Sequence, residues 1–329
     1  MEKIRWGILS TGTIARTFAQ TVRAMGGEGE LYAVASRSQA SADTFADQFD
    51  IPVRYGSYEE LAADPHVDMV YVATPHSRHY EDMELLIRGG KHILCEKSFT
   101  TDARQAEAIF ALARARGVFV MEAFWTRFVP LYAQIERILA EGGLGEIRAV
   151  TAQYGYTTGR QARKFDPALA GGTLLDIGVY AVGFACMVLG DRFDQISGCL
   201  IPNAQGTDAT DAILLRRGDV AAQLTCAIGV EIPTCAAIYG TQGRIEIPEF
   251  KAPQRATLWR PGADPEVLEA PFEVNGYEYE IREAMACVAA GELESRRMPA
   301  ARTVAVMGIM DELRRQNGLR FPFEGTQTR

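Results

Sequence analysis

The first 124 residues alternate between short apolar runs and segments with helical periodicity, and this alternation restricts the possible fold more than any other feature. The strand-like runs are IRWGILST, ELYAVASRS, VDMVYVATP, HILCEKS and VFVMEAF. Helical segments such as TIARTFAQTVRAM and DARQAEAIFALARARG separate them. Strands that alternate with helices form βαβ units and pair in a parallel sheet. We therefore predict an α/β Rossmann domain, with a doubly wound parallel sheet, for residues 1–124.

The pattern changes near residue 146, where strand-like runs follow one another closely. These runs are EIRAVTAQYGYT, DQISGCLIP, TDAILLRRG, AAQLTCAIGV, CAAIYGTQGRIEIP and ATLWRP, with turn sequences such as RRGD and TQGR between strands. Helical stretches precede them (GTLLDIGVYAVGFACMVLG) and follow them (YEYEIREAMACVAAG and ARTVAVMGIMDELRRQNG). Strands joined by short turns predict an open, mainly antiparallel sheet. Residues 125–329 are thus predicted to form a C-terminal α+β domain for substrate binding and oligomerisation.

The amino-acid composition limits the classes of molecule that this protein is expected to bind. The chain of 329 residues has 34 basic and 42 acidic residues, a net charge of −8, which argues against nucleic acid as a partner. The start, MEKIRWGILSTG, does not have the pattern of a signal peptide, and no stretch approaches the roughly 18 apolar residues of a membrane span. Six scattered cysteines and four isolated histidines indicate reduced thiols and no metal site. We expect a cytoplasmic protein that does not bind membranes.

The turn after the first strand resembles a dinucleotide-binding fingerprint. Gly12 and Ala15 stand where such a turn needs a residue without Cβ near the pyrophosphate and a small residue for helix packing. Ser10 replaces the first glycine, so the match is incomplete. A plain strand–turn–helix connection is the alternative, and the surrounding βαβ pattern favours the fingerprint. The cofactor-binding residues predicted here are Gly7, Ser10, Thr11, Gly12, Thr13 and Ile14.

The end of the second strand indicates which dinucleotide is bound. NAD enzymes place Asp or Glu there to hold the ribose hydroxyls. This strand ends in Ser36, Arg37 and Ser38. Two hydroxyls and a guanidinium suit a 2′-phosphate, so the sequence favours NADP over NAD. The alternative is a solvated arginine in a turn.

Four motifs carry a family resemblance. VATPHSRHY (72–80), CEKSFT (95–100), MEAFWTRFVP (121–130) and GGTLLDIGVY (171–180) occur in order. Together they resemble the glucose–fructose oxidoreductase, inositol dehydrogenase and rhizopine-catabolism family, and most of all its dihydrodiol and NADP-dependent D-xylose dehydrogenase branch. The chain departs from the family pattern at Ser98, where proline is usual. It has Tyr180 where many relatives have histidine.

The resemblance implies a site built from Lys97, Asp176 and Tyr180. A free tyrosine has a pKa near 10, and a neighbouring ammonium would stabilise its phenolate. Lys97 ends a parallel strand, where ligands of such sheets bind. We expect Tyr180 to be the general acid/base, with Lys97 as its activating partner and Asp176 as an acceptor for substrate hydroxyls. The alternatives are a core aromatic for Tyr180 and an early-helix carboxylate for Asp176.

Further residues are expected beside the cofactor or substrate, and their structural alternatives stay open. His79 could instead be a solvated helix-start residue, Trp125 and Arg127 could belong to a hinge, and Arg160 and Arg163 are better read as solvated charges. The additional cofactor candidates are Thr74, Pro75, His79, Glu96, Lys97, Trp125 and Arg127.

The leading functional hypothesis is an NADP-dependent oxidoreductase that acts on a polyhydroxylated ring, either an aldose such as D-xylose or D-glucose at C1 or a trans-dihydrodiol. A keto-sugar reductase or an inositol dehydrogenase is the alternative within enzymes. A non-catalytic NADP-binding regulatory protein is the alternative in another class, and the presence of Lys97, Asp176 and Tyr180 together argues against it. The resemblance also implies a homodimer or tetramer that forms through the C-terminal sheet.

Overall fold

The computed structural model describes residues 3–157 and 162–325. The chain divides into two compact units, and each is discontinuous. The first unit contains Met1–Trp125 and Glu273–Val304, and the second contains Thr126–Phe272 and Ala305–Arg329. The segment Glu273–Val304 therefore belongs to the first unit, so a single domain boundary at residue 125 does not describe the division fully.

The N-terminal part is a parallel sheet with helical crossovers. Its strands are β1 (Arg5–Leu9), β2 (Glu30–Ala35), β3 (Val53–Tyr55), β4 (Met69–Val72), β5 (His92–Glu96) and β6 (Val120–Ala123). Its helices are α1 (Thr13–Ala24), α2 (Gln39–Phe49), α3 (Tyr58–Ala63), α4 (His79–Arg88) and α5 (Ala103–Arg116). The strand order is β3-β2-β1-β4-β5-β6 with every pair parallel, which is the Rossmann arrangement. The predicted fold class is confirmed for this unit.

The second unit contains the large sheet. Its elements are α6 (Pro130–Ala140), β7 (Ile147–Tyr156), α7 (Val179–Leu189), β8 (Gln195–Pro202), β9 (Asp208–Arg217), β10 (Val220–Ile228), β11 (Ile232–Gly240), β12 (Gly243–Pro248), β13 (Arg255–Trp259) and β14 (Glu266–Glu269). The order is β14-β13-β12-β11-β7-β10-β9-β8, and only the pair of β7 with β10 is parallel. The prediction of an open, mainly antiparallel sheet is confirmed. Two further helices follow in the chain: α8 (Glu278–Ala289) belongs to the first unit, and α9 (Ala300–Gln316) begins in the first unit and continues in the second.

Local sequence explains where several helices begin and end. Ser57 precedes α3 and forms a reciprocal capping box with Glu60. Asp102 caps α5 by accepting a hydrogen bond from the backbone N–H of Gln105. Gly117 ends that helix with a φ of 66°, a left-handed conformation that favours glycine. These caps place the loops that follow β3 and β5.

The helical stretch that ends in α7 is apolar on all sides. Within the described residues, Pro167–Leu189 is long and apolar enough to cross a bilayer, which corrects the expectation that no stretch reaches that length. However, 83% of its most apolar window is buried inside the protein. A helix that is apolar all round and enclosed by protein is a core helix. This segment packs on β7 and β10 and forms the centre of the second unit.

Candidate active site

The turn between β1 and α1 suits a phosphate group. Gly12 is the exposed N-cap of α1, and among residues 3–157 and 162–325 no side chain caps this end of the helix. The unpaired N–H groups and dipole at a helix start attract anions. Ser10 has a φ of 98°, a conformation that favours glycine, and its N–H donates to the carbonyl of Ala35 at 2.9 Å. The serine thus adopts the backbone conformation that the fingerprint's first glycine would supply.

The other fingerprint residues have different positions. Gly7 is buried within β1, where an added Cβ would lie 3.0 Å from Cγ1 of Val67, so packing alone accounts for this glycine. Ala15 is completely buried on α1. The three remaining candidates lie at the surface end of the turn, half-buried or exposed: Thr11, Thr13 and Ile14.

The three residues after β2 differ in their surroundings. Ser36 is buried, and Arg37 is exposed. Ser38 is the N-cap of α2, and its Oγ accepts a hydrogen bond from the N–H of Ser41 at 3.3 Å. The capping interaction gives Ser38 a structural role in starting α2. Arg37 is therefore the residue of this group with an exposed cationic side chain for an anionic ligand.

His79 lies inside the protein and contacts the backbone of two loops next to the candidate site. Its side chain is completely buried, with Nε2 2.9 Å from the carbonyl oxygen of Thr74 and Nδ1 3.0 Å from that of Ser98. Each ring nitrogen lies within hydrogen-bonding distance of a backbone carbonyl, and burial lowers the pKa of His79, so the neutral ring donates to one of the two carbonyls at a time. This burial contradicts the alternative of a solvated ring, because the ring connects the end of β4 to the loop after β5, and the contact of His79 with the cofactor stays a prediction. Thr74 itself donates to Asp82 at 2.7 Å, and Pro75 begins the short helix His76–Arg78.

Lys97 follows β5 and is half-buried. The peptide bond between Lys97 and Ser98 is cis. The preceding Glu96 is directed inward: its carboxylate accepts a hydrogen bond from the hydroxyl of Tyr71, and its other oxygen accepts one from the N–H of Lys97 at 3.2 Å. Glu96 therefore fixes the backbone of Lys97, and this contact gives Glu96 a structural role.

Two more buried carboxyl groups lie near Glu96. Burial raises the pKa of Glu122 to about 7, and the carboxyl accepts a hydrogen bond from Thr303 at 2.8 Å. Burial also holds the pKa of Glu280 well above its usual range, with Glu96 and Glu122 as neighbouring charges. An acid whose pKa is raised by burial keeps its proton to higher pH. The environment beneath Lys97 is therefore rich in carboxyl groups that resist ionisation.

Trp125 and Arg127 lie in the short helix Trp125–Phe128. Within the first unit, the ring of Trp125 is buried and stacks on Tyr277 with 4.3 Å between centroids. Within the second unit, Arg127 forms an ion pair with Glu136 of α6. The observed contacts of both side chains are thus with protein groups.

The GGTLLDIGVY segment begins with two glycines that the backbone requires. An added Cβ on Gly171 would lie 2.6 Å from the carbonyl oxygen of Lys164, and one on Gly172, whose φ is 130°, would lie 2.1 Å from Oδ1 of Asp208. Leu174–Gly178 is one turn of π-helix, which α7 continues. π-Helical turns are rare and concentrate at functional sites. The sequence pattern indicated an ordinary helix here, because the wider turn depends on contacts with other strands.

Asp176 lies within this π-turn and belongs to a polar cluster. The hydroxyl of Tyr156 donates to its Oδ2 at 2.5 Å, and Nζ of Lys164 lies 3.2 Å from the same oxygen. Lys164 also donates to the hydroxyl of Tyr156 and lies 4.1 Å from the centroid of its ring. Asp176 and Lys164 keep about a fifth of their side-chain surface exposed, so the cluster is partly accessible.

Tyr180 is almost completely buried, and its ring lies edge-on to Tyr154 with 6.4 Å between centroids. Nζ of Lys251 donates to the hydroxyl of Tyr154 at 2.8 Å and lies 4.6 Å from the centroid of that ring. Tyr154 and Tyr156 are two residues apart on β7, so they share one face of the strand. Asp176 and Tyr180 both lie beside this pair of tyrosines.

Sequence reasoning missed four residues of this cluster: Tyr154, Tyr156, Lys164 and Lys251. The two tyrosines carried a usable signal, since alternate positions of a strand face one way. Lys164 lies in the stretch TTGRQARKFDP, of which only the arginines were considered. Arg160 lies outside the described residues, and Arg163 falls in the short helix Ala162–Phe165.

The Rossmann sheet and the phosphate-suited turn define a class of protein that binds a dinucleotide. The model of an oxidoreductase family with an NAD-binding Rossmann fold matches residues 4–124. The model of the GFO/IDH/MocA C-terminal domain matches residues 132–246. The chain therefore belongs to the GFO/IDH/MocA oxidoreductase family, and the resemblance found in the sequence is confirmed.

Curated relatives are similar over almost the full length. The trans-1,2-dihydrobenzene-1,2-diol dehydrogenase of Mus musculus is 36% identical over 327 residues, covering 97% of this chain and 98% of the relative. The enzyme of the same name from Homo sapiens is 35% identical over 328 residues, with the same coverage.

Solved structures agree on the fold. KijD10, a 3-ketoreductase from Actinomadura kijaniata in complex with NADP and TDP-benzene, matches with a TM-score of 0.87 and 29% identity, covering 95% of this chain and 98% of that one. The aldose-aldose oxidoreductase of Caulobacter crescentus, complexed with glycerol, also has a TM-score of 0.87, at 24% identity and covering 96% and 98% of the two chains. The second likeness concerns the fold alone.

Proposed function

We propose that this protein is an NADP-dependent dehydrogenase that oxidises a secondary alcohol on a polyhydroxylated ring, with a trans-dihydrodiol as the first substrate to test and an aldose at C1 as the second. The observation that carries the proposal is the polar cluster beside Tyr180, in which Tyr156 of β7 and Lys164 contact Asp176 of the otherwise apolar π-turn. Several hydroxyls on one ring match such a network of donors and acceptors. The curated relatives named for a dihydrodiol support the choice of substrate.

Tyr180 is the group to which we assign proton transfer. Oxidation of an alcohol moves the O–H proton to a base while the C–H hydride leaves, so that the carbinol becomes a carbonyl. A nicotinamide, when bound, supplies the hydride acceptor. The phenolate of Tyr180 would take the proton as a base and return it as an acid in the reverse direction. We assign Lys97 to the same step, since an ammonium stabilises the phenolate form.

Asp176 is assigned to substrate orientation. Its Oδ2 already accepts from Tyr156 and faces the ammonium of Lys164, which favours the ionised carboxylate. A carboxylate held in this way accepts hydrogen bonds from ring hydroxyls and fixes the ring in one pose. Correct placement of the reacting carbon contributes to the rate as much as the proton transfer itself.

NADP is favoured as the dinucleotide on this chain's own residues. The start of α1 suits the pyrophosphate, and the exposed Arg37 at the end of β2 suits a 2′-phosphate. Arginine binds phosphate oxygens through several N–H groups at once, whereas an acidic residue here would repel them. The ketoreductase relative solved with NADP agrees with this choice.

A keto-sugar reductase is the second candidate, because KijD10 is named as a 3-ketoreductase and matches over the whole fold. The same side chains would then act in the reverse direction, with the Tyr180 phenol donating its proton to the carbonyl oxygen. A regulatory protein that binds NADP without turnover would have no use for Lys97, Asp176 and Tyr180. The dehydrogenase would reduce NADP, the reductase would oxidise NADPH, and the regulatory protein would bind NADP without changing it.

The experiment is a cofactor assay in both directions. Purified protein is mixed with NADP and a panel of trans-dihydrodiols, pentoses, hexoses and inositol, and separately with NADPH and keto-sugars, while nicotinamide absorbance is followed. We expect reduction of NADP with a diol or an aldose and a lower rate with NAD. Turnover only of keto-sugars would favour the reductase. Tight binding of NADP without turnover of any substrate would contradict the enzymatic proposal.

We further propose that a second copy of the chain covers the open face of the sheet in the second unit. α7 packs on the other face of the sheet, and the open face carries Leu214 and Tyr239, which are 44% and 38% exposed. Thr151 and Gln223 lie side by side near the middle of this face. A charged substitution there, Thr151→Arg, is expected to convert a sedimenting dimer to a monomer. A wild-type protein that sediments as a monomer would contradict the proposal.

A further inference from the structure

Two aspartates at the start of β9 form a buried pair next to the π-turn. Asp208 is 2% exposed and Asp211 is completely buried. Residues three apart on a regular strand face opposite sides. Here the register between β8 and β9 shifts, so that Ile201 pairs with Thr210 and Pro202 with Asp208. This bulge accounts for both carboxyl groups lying inside the same unit.

The two carboxyl groups are within hydrogen-bonding reach of each other. Two carboxyl groups bond in this way only when one of them holds a proton, because ionised carboxylates have no donor. Asp208 accepts a hydrogen bond from the backbone N–H of Leu174 at 2.5 Å. Among the described residues, no other group donates to the carboxyl of Asp211. These contacts assign the ionised form to Asp208 and the proton to Asp211.

The surroundings support this assignment. Burial and the carboxylate of Asp208 raise the pKa of Asp211 well above its usual range. Burial also raises the pKa of Asp208, but the N–H of Leu174 and the charge of Arg314 on α9 act in the opposite direction and favour its ionised form. Two thiols also lie near the pair, the exposed Cys199 on β8 and the buried Cys226 on β10, and burial raises the pKa of Cys226.

The pair is hydrogen-bonded to the start of the π-turn and lies beside its end. Gly172 lies so close to Asp208 that any Cβ would collide with the carboxylate. The hydroxyl of Thr173 donates to the carbonyl of Ala209, between the two aspartates, at 2.8 Å. At the other end, an added Cβ on Gly178 would lie 3.6 Å from Oδ2 of Asp211. Asp176 lies between these anchors, and Tyr180 lies two residues after the second.

We propose that Asp208 and Asp211 are positioning residues, in which one retained proton joins the two carboxyl groups and holds the π-turn that presents Asp176 and Tyr180. Loss of this proton would place two carboxylates against each other in a buried space, and the turn would loosen. The consequence for catalysis rests on the proposed function of Tyr180. The retained proton and the stability of the π-turn do not depend on that function, and both can be measured without substrate.

The test begins with the wild-type protein. Infrared difference spectra between neutral and alkaline pH are expected to show a protonated-carboxyl stretching band that disappears on deprotonation. Asp211→Asn keeps the shape and the hydrogen-bond donor but removes the titration, so this variant should lack the Asp211 band and keep the bands of the other buried carboxyl groups, Glu122 and Glu280. Asp219→Asn changes an exposed aspartate in the turn between β9 and β10 and serves as the control that keeps the Asp211 band. If Asp211→Asn removes no protonated-carboxyl band from the wild-type spectrum, the proposal is overturned.

Hydrogen exchange of residues 171–180 gives the second readout. Wild type and Asp211→Asn are compared with the control at the same alkaline pH, so that the intrinsic effect of pH cancels. We expect about tenfold faster exchange in the wild type than in Asp211→Asn above the pH at which the band disappears. Equal exchange in the two proteins there would overturn the proposal. A normal turnover rate in Tyr180→Phe would instead contradict the proposed function and leave both readouts unchanged.

Discussion

The hydroxyl of Tyr156 donates to Oδ2 of Asp176 at 2.5 Å, and Lys164 approaches the same oxygen from the residues that precede the π-turn. The carboxylate is therefore oriented before any substrate arrives. A prearranged acceptor avoids the cost of ordering it in each catalytic cycle. We therefore include Tyr156 and Lys164 in the proposed substrate site.

Tyr156→Phe removes the donor and keeps the ring. We expect kcat/KM to fall by about tenfold, since a hydrogen bond to a charged group contributes about 1.5 kcal/mol or more. Steady-state kinetics with the best diol or sugar measures the change. Tyr32→Phe, which removes a phenolic hydroxyl on β2, is the matched control and should leave kcat/KM unchanged. An unaffected Tyr156→Phe enzyme would show that Asp176 does not depend on this contact.

Lys164→Met tests whether the cluster acts as a unit. Lys164 donates to Tyr156 and neutralises Asp176, so the two substitutions remove parts of one network. We expect the double variant to lose less than the product of the two single losses, because residues in one network are not additive. The measurement is a double-mutant cycle on kcat/KM. Strict additivity would indicate that the lysine and the tyrosine act independently.

Arg37→Ala tests the cofactor preference. Loss of a charge-assisted contact to a phosphate, about 1.5–3 kcal/mol, should raise the KM for NADP by about ten- to a hundredfold and leave the KM for NAD nearly unchanged. Kinetics with both dinucleotides measures the ratio. Arg23→Ala removes an exposed arginine that pairs with Asp50 and is the control. Equal effects on the two cofactors would exclude Arg37 as the 2′-phosphate ligand.

Glu122 predicts a pH-dependent stability. Its pKa is raised from 4.5 to about 7 by burial, so the native state retains a proton that the unfolded chain loses at lower pH. Its contribution to the free energy of unfolding is present below pH 4.5 and is lost as the pH rises toward 7. Glu122→Gln removes this dependence, and relative to wild type it should gain about 3 kcal/mol across that window.

Urea unfolding of wild type and Glu122→Gln at several pH values measures this difference. Glu59→Gln, at the exposed start of α3, is the control and should follow the wild type. Parallel pH curves for wild type and Glu122→Gln would contradict the raised pKa.

The Rossmann sheet was predictable because each strand and each crossover helix has its own local pattern. β3 was missed because only three residues form it, all of them half-buried. α6 was missed because its start, Val129–Pro130, forms the end of the motif MEAFWTRFVP, which was interpreted as part of the site and not as a helix start. The return of Glu273–Val304 to the first unit also has no local signal, since only long-range packing determines it.

The candidate site was predictable only where one segment carries its own motif. The motif that contains Asp176 and Tyr180 marked a functional segment, but its π-turn depends on Asp208 and on the carbonyl of Lys164. His79 has the sequence of a helix-start residue, whereas its burial results from two loops that lie far apart in sequence. The partners of a side chain are tertiary information, which a motif alone does not contain.

The central claim is that Tyr180 transfers the proton, and turnover of Tyr180→Phe tests it most directly. Lys97→Met is measured beside it, and binding of NADP is measured for every variant to show that the first unit is intact. We predict that Tyr180→Phe lowers kcat by about 10²- to 10⁴-fold while the Kd for NADP stays the same. A kcat within about twofold of the wild-type value, with the fold intact, would contradict the account.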